Sequence, residues 1–168
     1  IKHFNWFLKT QRGAILMNSP SEEIVFRWRG RSNHHTLTSG LDDYPRGNTP
    51  SDYELHVDLL SWMAFASRSL QNLKRILEIS TSEPNEPDFT KFYEESLKNL
   101  NEHHWDESRG CFSDVTVVNE TSGSTMFVPN VGYVSLFPML FGLVPVEDSD
   151  KLERLFDILE DPEQLWTR

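Results

Sequence analysis

Apolar residues recur along this chain at the three-and-four spacing of an amphipathic helix. Phe4, Phe7 and Leu8 do so within residues 1–10, and Leu59, Trp62, Met63, Ala66, Leu70, Leu73 and Leu77 sustain the period much longer. Thr49 followed by Pro50 supplies an N-cap and a first-turn residue, so the spacing predicts a helix from about residue 50 to 79. After a polar stretch at 80–87 holding two prolines, Phe89, Phe92, Tyr93, Leu97 and Leu100 predict a second packed helix. Residues 110–118, rich in Val, Thr and Phe, predict a short strand or hairpin arm leading into an exposed loop at 119–125. A further apolar helix is expected at 130–143, kinked or limited by Pro138. Another begins near Asp148, with Leu152, Leu155, Phe156 and Leu159 facing inward. The fold class is mainly α.

Composition narrows what such a chain can do. Its 168 residues suit about one domain, and 38% hydrophobic with 12% aromatic content supports a real core. Sixteen Lys and Arg against 26 Asp and Glu give a net charge of −10, a field that repels phosphate backbones and anionic lipid, so no nucleic acid partner is expected. The best apolar run, 131–144, is interrupted by Gly132, Pro138 and Gly142 and falls short of the ~20 residues a membrane span needs. Cys111 is single and cannot form an internal disulfide. His34-His35 and His103-His104 are adjacent pairs, a spacing that seldom aims two rings at one ion, so no metal and no cofactor is expected. Ile1 is no initiator, and Leu165 and Trp166 run up to Arg168 without a polar tail; both ends are expected to continue into a longer polypeptide.

Chemistry concentrates in the connection at 19–49, too long for a bland link inside a compact domain. It carries Phe26-Arg27-Trp28-Arg29-Gly30-Arg31, two histidines, and Ser39-Gly40-Leu41-Asp42-Asp43-Tyr44-Pro45-Arg46-Gly47. Asp42 and Asp43 fit either an Asx-type turn or a catalytic pair, in which a second carboxylate raises the acid's pKa while Arg46 lowers it. Glu54 and Asp58, four apart, are expected to share a face of the long helix, where like charges cost ~0.2 to 0.5 kcal/mol unless the helix dipole or a polar ligand offsets them. Trp62 continues that face. Carboxylates beside an indole suit a sugar, with hydroxyls on its rim and C–H groups on its faces; core packing of Trp62 is the competing reading. Arg27, Arg29 and Arg31 fit ion pairing and cation–π contacts that fix the loop, or ligand contact. Asn119-Glu120-Thr121 is the only acceptor tripeptide for N-glycosylation and falls in the expected exposed loop.

The string at 39–47, the box Glu54-Leu55-His56-Val57-Asp58-Leu59-Leu60-Ser61-Trp62, and flanking blocks at 3–13, 26–31 and 131–138 resemble the eukaryotic processing α-glucosidases of glycoside hydrolase family 63. That family carries Gly-Leu-Asp-Asp-Tyr-Pro-Arg followed at this spacing by Glu-x-His-x-Asp-Leu-x-x-Trp. Leu55 stands where an Arg is common and Leu60-Ser61 where Arg-Cys is common, so contacts made there in relatives do not carry over. The resemblance implies a segment of an (α/α)6 toroid, with residues 1–168 part of a single catalytic domain whose remainder lies outside this chain. It implies inverting removal of the terminal α-1,2-linked glucose from the triglucosylated high-mannose N-glycan precursor on nascent glycoproteins. The location implied is the endoplasmic reticulum lumen, with any membrane anchor elsewhere in the parent polypeptide.

By motif position Asp42 is the implied general acid, and Glu54, Asp58, Trp62, Arg29, Arg46 and Asp43 are the implied substrate-binding or supporting residues. The general base is expected beyond Arg168, because none of Glu102, Glu107 or Asp114 falls in a matching motif, and the isolated chain is expected to be inactive. Two alternatives stand beside this reading: a non-catalytic glycan-binding segment using Glu54, Asp58 and Trp62, and another inverting (α/α)6 glycosidase of trehalase-like kind.

Overall fold

The computed structural model describes residues 1–16, 23–80 and 86–165. Parts of the connections expected at 19–49 and 80–87 (residues 19–22 and 81–85), together with Trp166 and Arg168, lie outside the described residues. After helix α1 (Lys2–Thr10), the described residues 11–16 and 23–36 form no helix or multi-residue strand, and a 3-10 turn (Leu37–Ser39) comes before α2 (Val57–Ile76). Helix α3 (Phe89–Asn99) winds on through a π turn (Leu100–His104) into β1 (Trp105–Asp106), which pairs antiparallel with β2 (Cys111–Phe112). A second antiparallel ribbon joins β3 (Val115–Asn119) to β4 (Ser124–Phe127), and α4 (Tyr133–Leu140) and α5 (Ser149–Glu160) follow. No helix among the described residues is long and apolar enough to cross a membrane.

Helix α2 lies at the centre, packed on α3 and α4, while α5 leans on α4 and β2. Leu59, Leu60, Met63 and Ala64 of α2 are buried with Phe92 of α3, Val134 and Leu136 of α4, and Leu155 and Ile158 of α5. Each large side chain removed from water in this way contributes ~1.5 to 3 kcal/mol. Phe4 of α1 enters edge-on to Phe89 and Phe92, with centroids 5.4 and 5.1 Å apart. Asp88 starts α3 by accepting the N–H groups of Thr90 and Lys91 at 3.0 and 3.1 Å. Gly142, left-handed at φ 60°, closes α4: Leu143 N–H reaches back to the Pro138 carbonyl at 2.8 Å, which stops the helix short of the expected residue 143.

Three further expectations are corrected. The long helix begins at Val57, not near residue 50, because the chain before it is drawn into a bridge between Leu55 and Val115, with N–O distances of 3.0 and 2.9 Å. Its first N–H is capped from outside the helix, Val57 donating to Asp114 Oδ1 at 2.8 Å. Its inward face is also turned. Leu60, Ala64 and Ser67 are buried, while Trp62, Leu73 and Leu77 are exposed. The serines tolerate burial because Ser61 and Ser67 donate to the carbonyls of Val57 and Phe89, each at 2.7 Å. On α5, Ile158 takes the inward place expected for Phe156, which is half exposed.

Candidate active site

The Asp42 string is held by its own backbone. Thr36 N–H donates to the Asp42 carbonyl at 2.8 Å, closing a short loop. Ser39 Oγ donates to the Thr36 carbonyl at 2.7 Å and accepts Leu41 N–H at 3.0 Å, with Gly40 left-handed at φ 72° between them. Asp42 therefore sits at the foot of a fastened loop with its side chain exposed. Asp43, also exposed, meets His35 Nδ1 at 2.8 Å, and Ser32 Oγ accepts the N–H groups of His34 and His35 to hold that turn. The far side of the string is clamped to residue 130: Tyr44 OH donates to the Asn130 carbonyl and Asn130 Nδ2 to the Pro45 carbonyl, both at 3.3 Å.

Beside this loop opens a polar cleft of about 390 Å³, lined by Arg31, His34, His35, Asp43, Arg46 and Asn130 among others. The carboxylates expected to face it stand behind it. Arg46 grips Asp58 with both nitrogens, at 3.0 and 2.6 Å, and reaches Asp114 at 2.8 Å. Trp28 Nε1 donates to the same Asp58 carboxylate at 3.0 Å. Arg31 Nε and Nη2 hold Glu54 at 2.9 and 2.7 Å, and Arg27 pairs with Asp52. The side chains of Arg46, Asp58, Arg31 and Glu54 are all at most 2% exposed.

Burial works against the charges of Arg46, Glu54 and Asp114, and their partners outweigh it. Asp114 and Asp58 lift the Arg46 pKa above the ordinary guanidinium range. The His56 ring 3.7 Å away and the hydrogen bonds from Arg31 hold Glu54 below the usual carboxylate range, and Arg46 and the Val57 N–H do the same for Asp114. Burial, with the charge of Asp114 nearby, pushes the Tyr44 phenol up to about 12. His56 Nδ1 accepts the Trp28 N–H at 2.7 Å, so its neutral ring carries the proton on Nε2, which faces Glu54 at 3.7 Å. His104 donates from Nδ1 to the Ser113 carbonyl at 2.8 Å, and burial drops its pKa to about 4, leaving it neutral.

Several expectations about this site are revised by these positions. Glu54 and Asp58 do not share a helix face, since Glu54 precedes α2, and arginines rather than the helix dipole alone offset their repulsion. Trp62 is 44% exposed among Phe65, Phe137 and Phe141, and it lines a separate apolar groove of about 530 Å³ with Phe4, Phe7 and Trp28. Arg29 turns outward and donates to the Arg12 carbonyl at 3.1 Å; Arg31 is the arginine of that string that reaches the cleft. The ion-pairing reading of the arginine-rich string therefore holds for Arg27 and Arg31. Asn119 lies exposed at the end of β3, as expected for its tripeptide.

Asp114, set aside in the sequence as a base because it falls in no matching motif, has a structural role that the sequence did not show. It is fully enclosed, caps α2 and completes the charge on Arg46, yet its partner lies 68 positions away and no local pattern marks it. Arg31, by contrast, was in view within the string at 26–31. Taken together, a fastened loop presents two exposed carboxylates: Asp43 lines the cleft with arginine, histidine and asparagine donors, a setting that suits a ligand rich in hydroxyls, while Asp42, next to it in the chain, is not among the lining residues.

Comparison with known proteins points the same way. The family model described as the glycosyl hydrolase family 63 C-terminal domain matches residues 1–168. The chain is 33% identical over 178 residues to a mannosyl-oligosaccharide glucosidase of Saccharomyces cerevisiae, covering 99% of this chain and 21% of that protein. It is 40% identical over 171 residues to a probable mannosyl-oligosaccharide glucosidase of Schizosaccharomyces pombe, covering 99% and 20%. A mannosyl-oligosaccharide glucosidase of Arabidopsis thaliana is 30% identical over 198 residues, covering 98% and 22%. The chain spans about a fifth of the length of these curated relatives.

Proposed function

The chain belongs to glycosyl hydrolase family 63, and from that premise we propose that it supplies the general-acid side of a glucosidase acting in N-glycan processing. The bond cut is the α-1,2 linkage of the terminal glucose on the triglucosylated high-mannose precursor, and the reaction inverts the anomeric centre. Asp42 gives its proton to the departing glycosidic oxygen. A carboxylate from another part of the parent polypeptide takes a proton from water on the opposite face, ~6.5 to 9.5 Å away as inversion requires. The surrounding fold is an (α/α)6 toroid, of which residues 1–168 are one part, and the enzyme works in the endoplasmic reticulum lumen.

The observation that carries this reading is the commitment of Arg46. A general acid must keep its proton until the leaving oxygen needs it, and a nearby uncompensated cation defeats that. Arg46 is shared between two buried carboxylates, so the cluster of Arg46, Asp58 and Asp114 carries a formal charge of −1. The cation in the Asp42 string is thus occupied from behind by two carboxylates other than Asp42. Glu54 and Asp58 act on the sugar indirectly, by fixing the two arginines that line the cleft, while Asp43, His35 and Asn130 meet hydroxyls.

The test uses the full parent polypeptide and the triglucosylated glycan, followed by proton NMR. The reading requires free glucose whose β-anomer appears first and then mutarotates. Absence of glucose release, or first appearance of the α-anomer, overturns it.

A further inference from the structure

Asn119-Glu120-Thr121 has no counterpart in the chain: no other asparagine is followed by Ser or Thr at the second position with a residue other than proline between. The structure puts this tripeptide at the tip of the β3–β4 hairpin, where the register shifts between Val117 and Asn119. Asn119 Oδ1 accepts the N–H groups of Thr121 and Ser122 at 2.8 and 3.0 Å. The carbonyl branch of the amide is thereby fastened to the turn, and Nδ2, the atom a sugar would be joined to, is the other branch of the same exposed side chain.

The surface around this amide has its own signature. Val118 is 59% exposed and Met126 51% exposed, two apolar side chains on a ribbon of only two strands. Among the described residues the ribbon's one pairing outside itself is the bridge from Val115 to Leu55, so its outer edge is open, the feature that invites strand pairing with other chains. The ribbon is held against residues 47–51 at two points, one on β3 and one at the tip. Gly47 abuts it so closely that a Cβ there would lie 2.6 Å from Thr116 Cβ, and Ser51 Oγ donates to Glu120 Oε1 at 2.7 Å. The hairpin is therefore held at Thr116 and again at Glu120, while Asn119 between these anchors stays exposed.

We propose that Asn119 carries an N-linked glycan that covers Val118, Met126 and the open edge of the hairpin. The glycan arrives from an oligosaccharide joined to a lipid diphosphate. The bond from Nδ2 to the anomeric carbon forms as the bond from that carbon to the diphosphate oxygen breaks; the diphosphate leaves with the electron pair, and Nδ2 gives up one proton. This inference goes beyond the glucosidase reading and does not depend on which bond the enzyme cuts.

The test is to express the full parent polypeptide in a eukaryotic secretory host and analyse the tryptic peptide 110–151 by mass spectrometry. Release by peptide-N-glycosidase in heavy-oxygen water is expected to convert Asn119 to labelled Asp. Thr121→Ala is expected to abolish the glycopeptide, and Thr121→Ser to retain it. An unmodified Asn119 in protein recovered from the secretory compartment overturns the proposal. Removing the glycan from the native protein is expected to raise light scattering on concentration, and unchanged scattering overturns the covering role. Glucose release is measured on the same samples, so that failure of the glucosidase reading is seen separately from an empty Asn119.

Discussion

Arg46 holds Asp58 through two parallel hydrogen bonds, Nη1 to Oδ1 at 3.0 Å and Nη2 to Oδ2 at 2.6 Å, where neither side chain is more than 1% exposed. Asp114 takes a third bond from the same guanidinium. Three stretches far apart in sequence are thus joined: the Asp42 string, the start of α2 and the approach to β3. A planar fork with fixed donors can satisfy two carboxylates at once, which a lysine ammonium cannot do in this geometry.

Arg46→Ala leaves Asp58 and Asp114 buried together without their cation. Removing one partner of a buried pair costs ~3 to 5 kcal/mol, and two stranded carboxylates put this case at the upper end. The expected result is a marked fall in thermal stability of the parent polypeptide, with Arg46→Lys recovering only part of it. Stability unchanged by Arg46→Ala would show that the cluster is not what fastens the string to α2.

The pH dependence has two windows. His104 is a base whose folded pKa, about 4, lies below its unfolded value near 6.5, so the unfolded chain binds the extra proton between these values. Its contribution is complete above pH ~6.5 and is lost as pH falls toward 4, to the extent of about 3 kcal/mol. Glu54 and Asp114 have depressed folded pKa values; their contribution is present above the ordinary carboxylate range and is lost as pH falls below it. Unfolding monitored from pH 7 to 3 is expected to show both phases. His104→Asn, whose amide N–H can still reach the Ser113 carbonyl, is expected to flatten the first phase only.

Gly47 and Thr116 report on the seating of the hairpin against the string. Gly47→Ala places a methyl carbon 2.6 Å from Thr116 Cβ, an overlap that backbone movement must relieve at ~1 to 3 kcal/mol. The double variant Gly47→Ala with Thr116→Gly removes the obstructing atoms. In a double-mutant cycle the two changes are expected to be strongly coupled, the second restoring stability lost to the first beyond its own effect. Additive losses would mean that the two residues do not meet.

Local pattern carried the reading where local forces decide the structure. The periods around Phe4, Phe92 and Leu155 mark α1, α3 and α5, and the Asp42 string stood out because Gly40 and Pro45 punctuate it. What escaped was set by distant partners. Thr49 and Pro50 look like a helix start, but the bridge from Leu55 to Val115 and the cap from Asp114 move that start to Val57. Glu54 and Asp58 look like an exposed acidic face because the arginines that bury them come from elsewhere in the chain. Trp62 looks inward by period, yet the turned face of α2 leaves it beside Phe141 at a centroid distance of 4.5 Å.

The central claim is that Asp42 is the acid, and the most direct measurement compares Asp42→Asn with Asp43→Asn in the full parent polypeptide, using the triglucosylated glycan. General acid catalysis contributes ~10² to 10⁴ in rate. Asp42→Asn is therefore expected to lower kcat by that factor with glycan affinity retained, while Asp43→Asn, at the residue proposed to meet hydroxyls, is expected to act mainly on KM. Turnover by Asp42→Asn within about tenfold of the unaltered enzyme, outside the range ascribed to a general acid, would contradict the account.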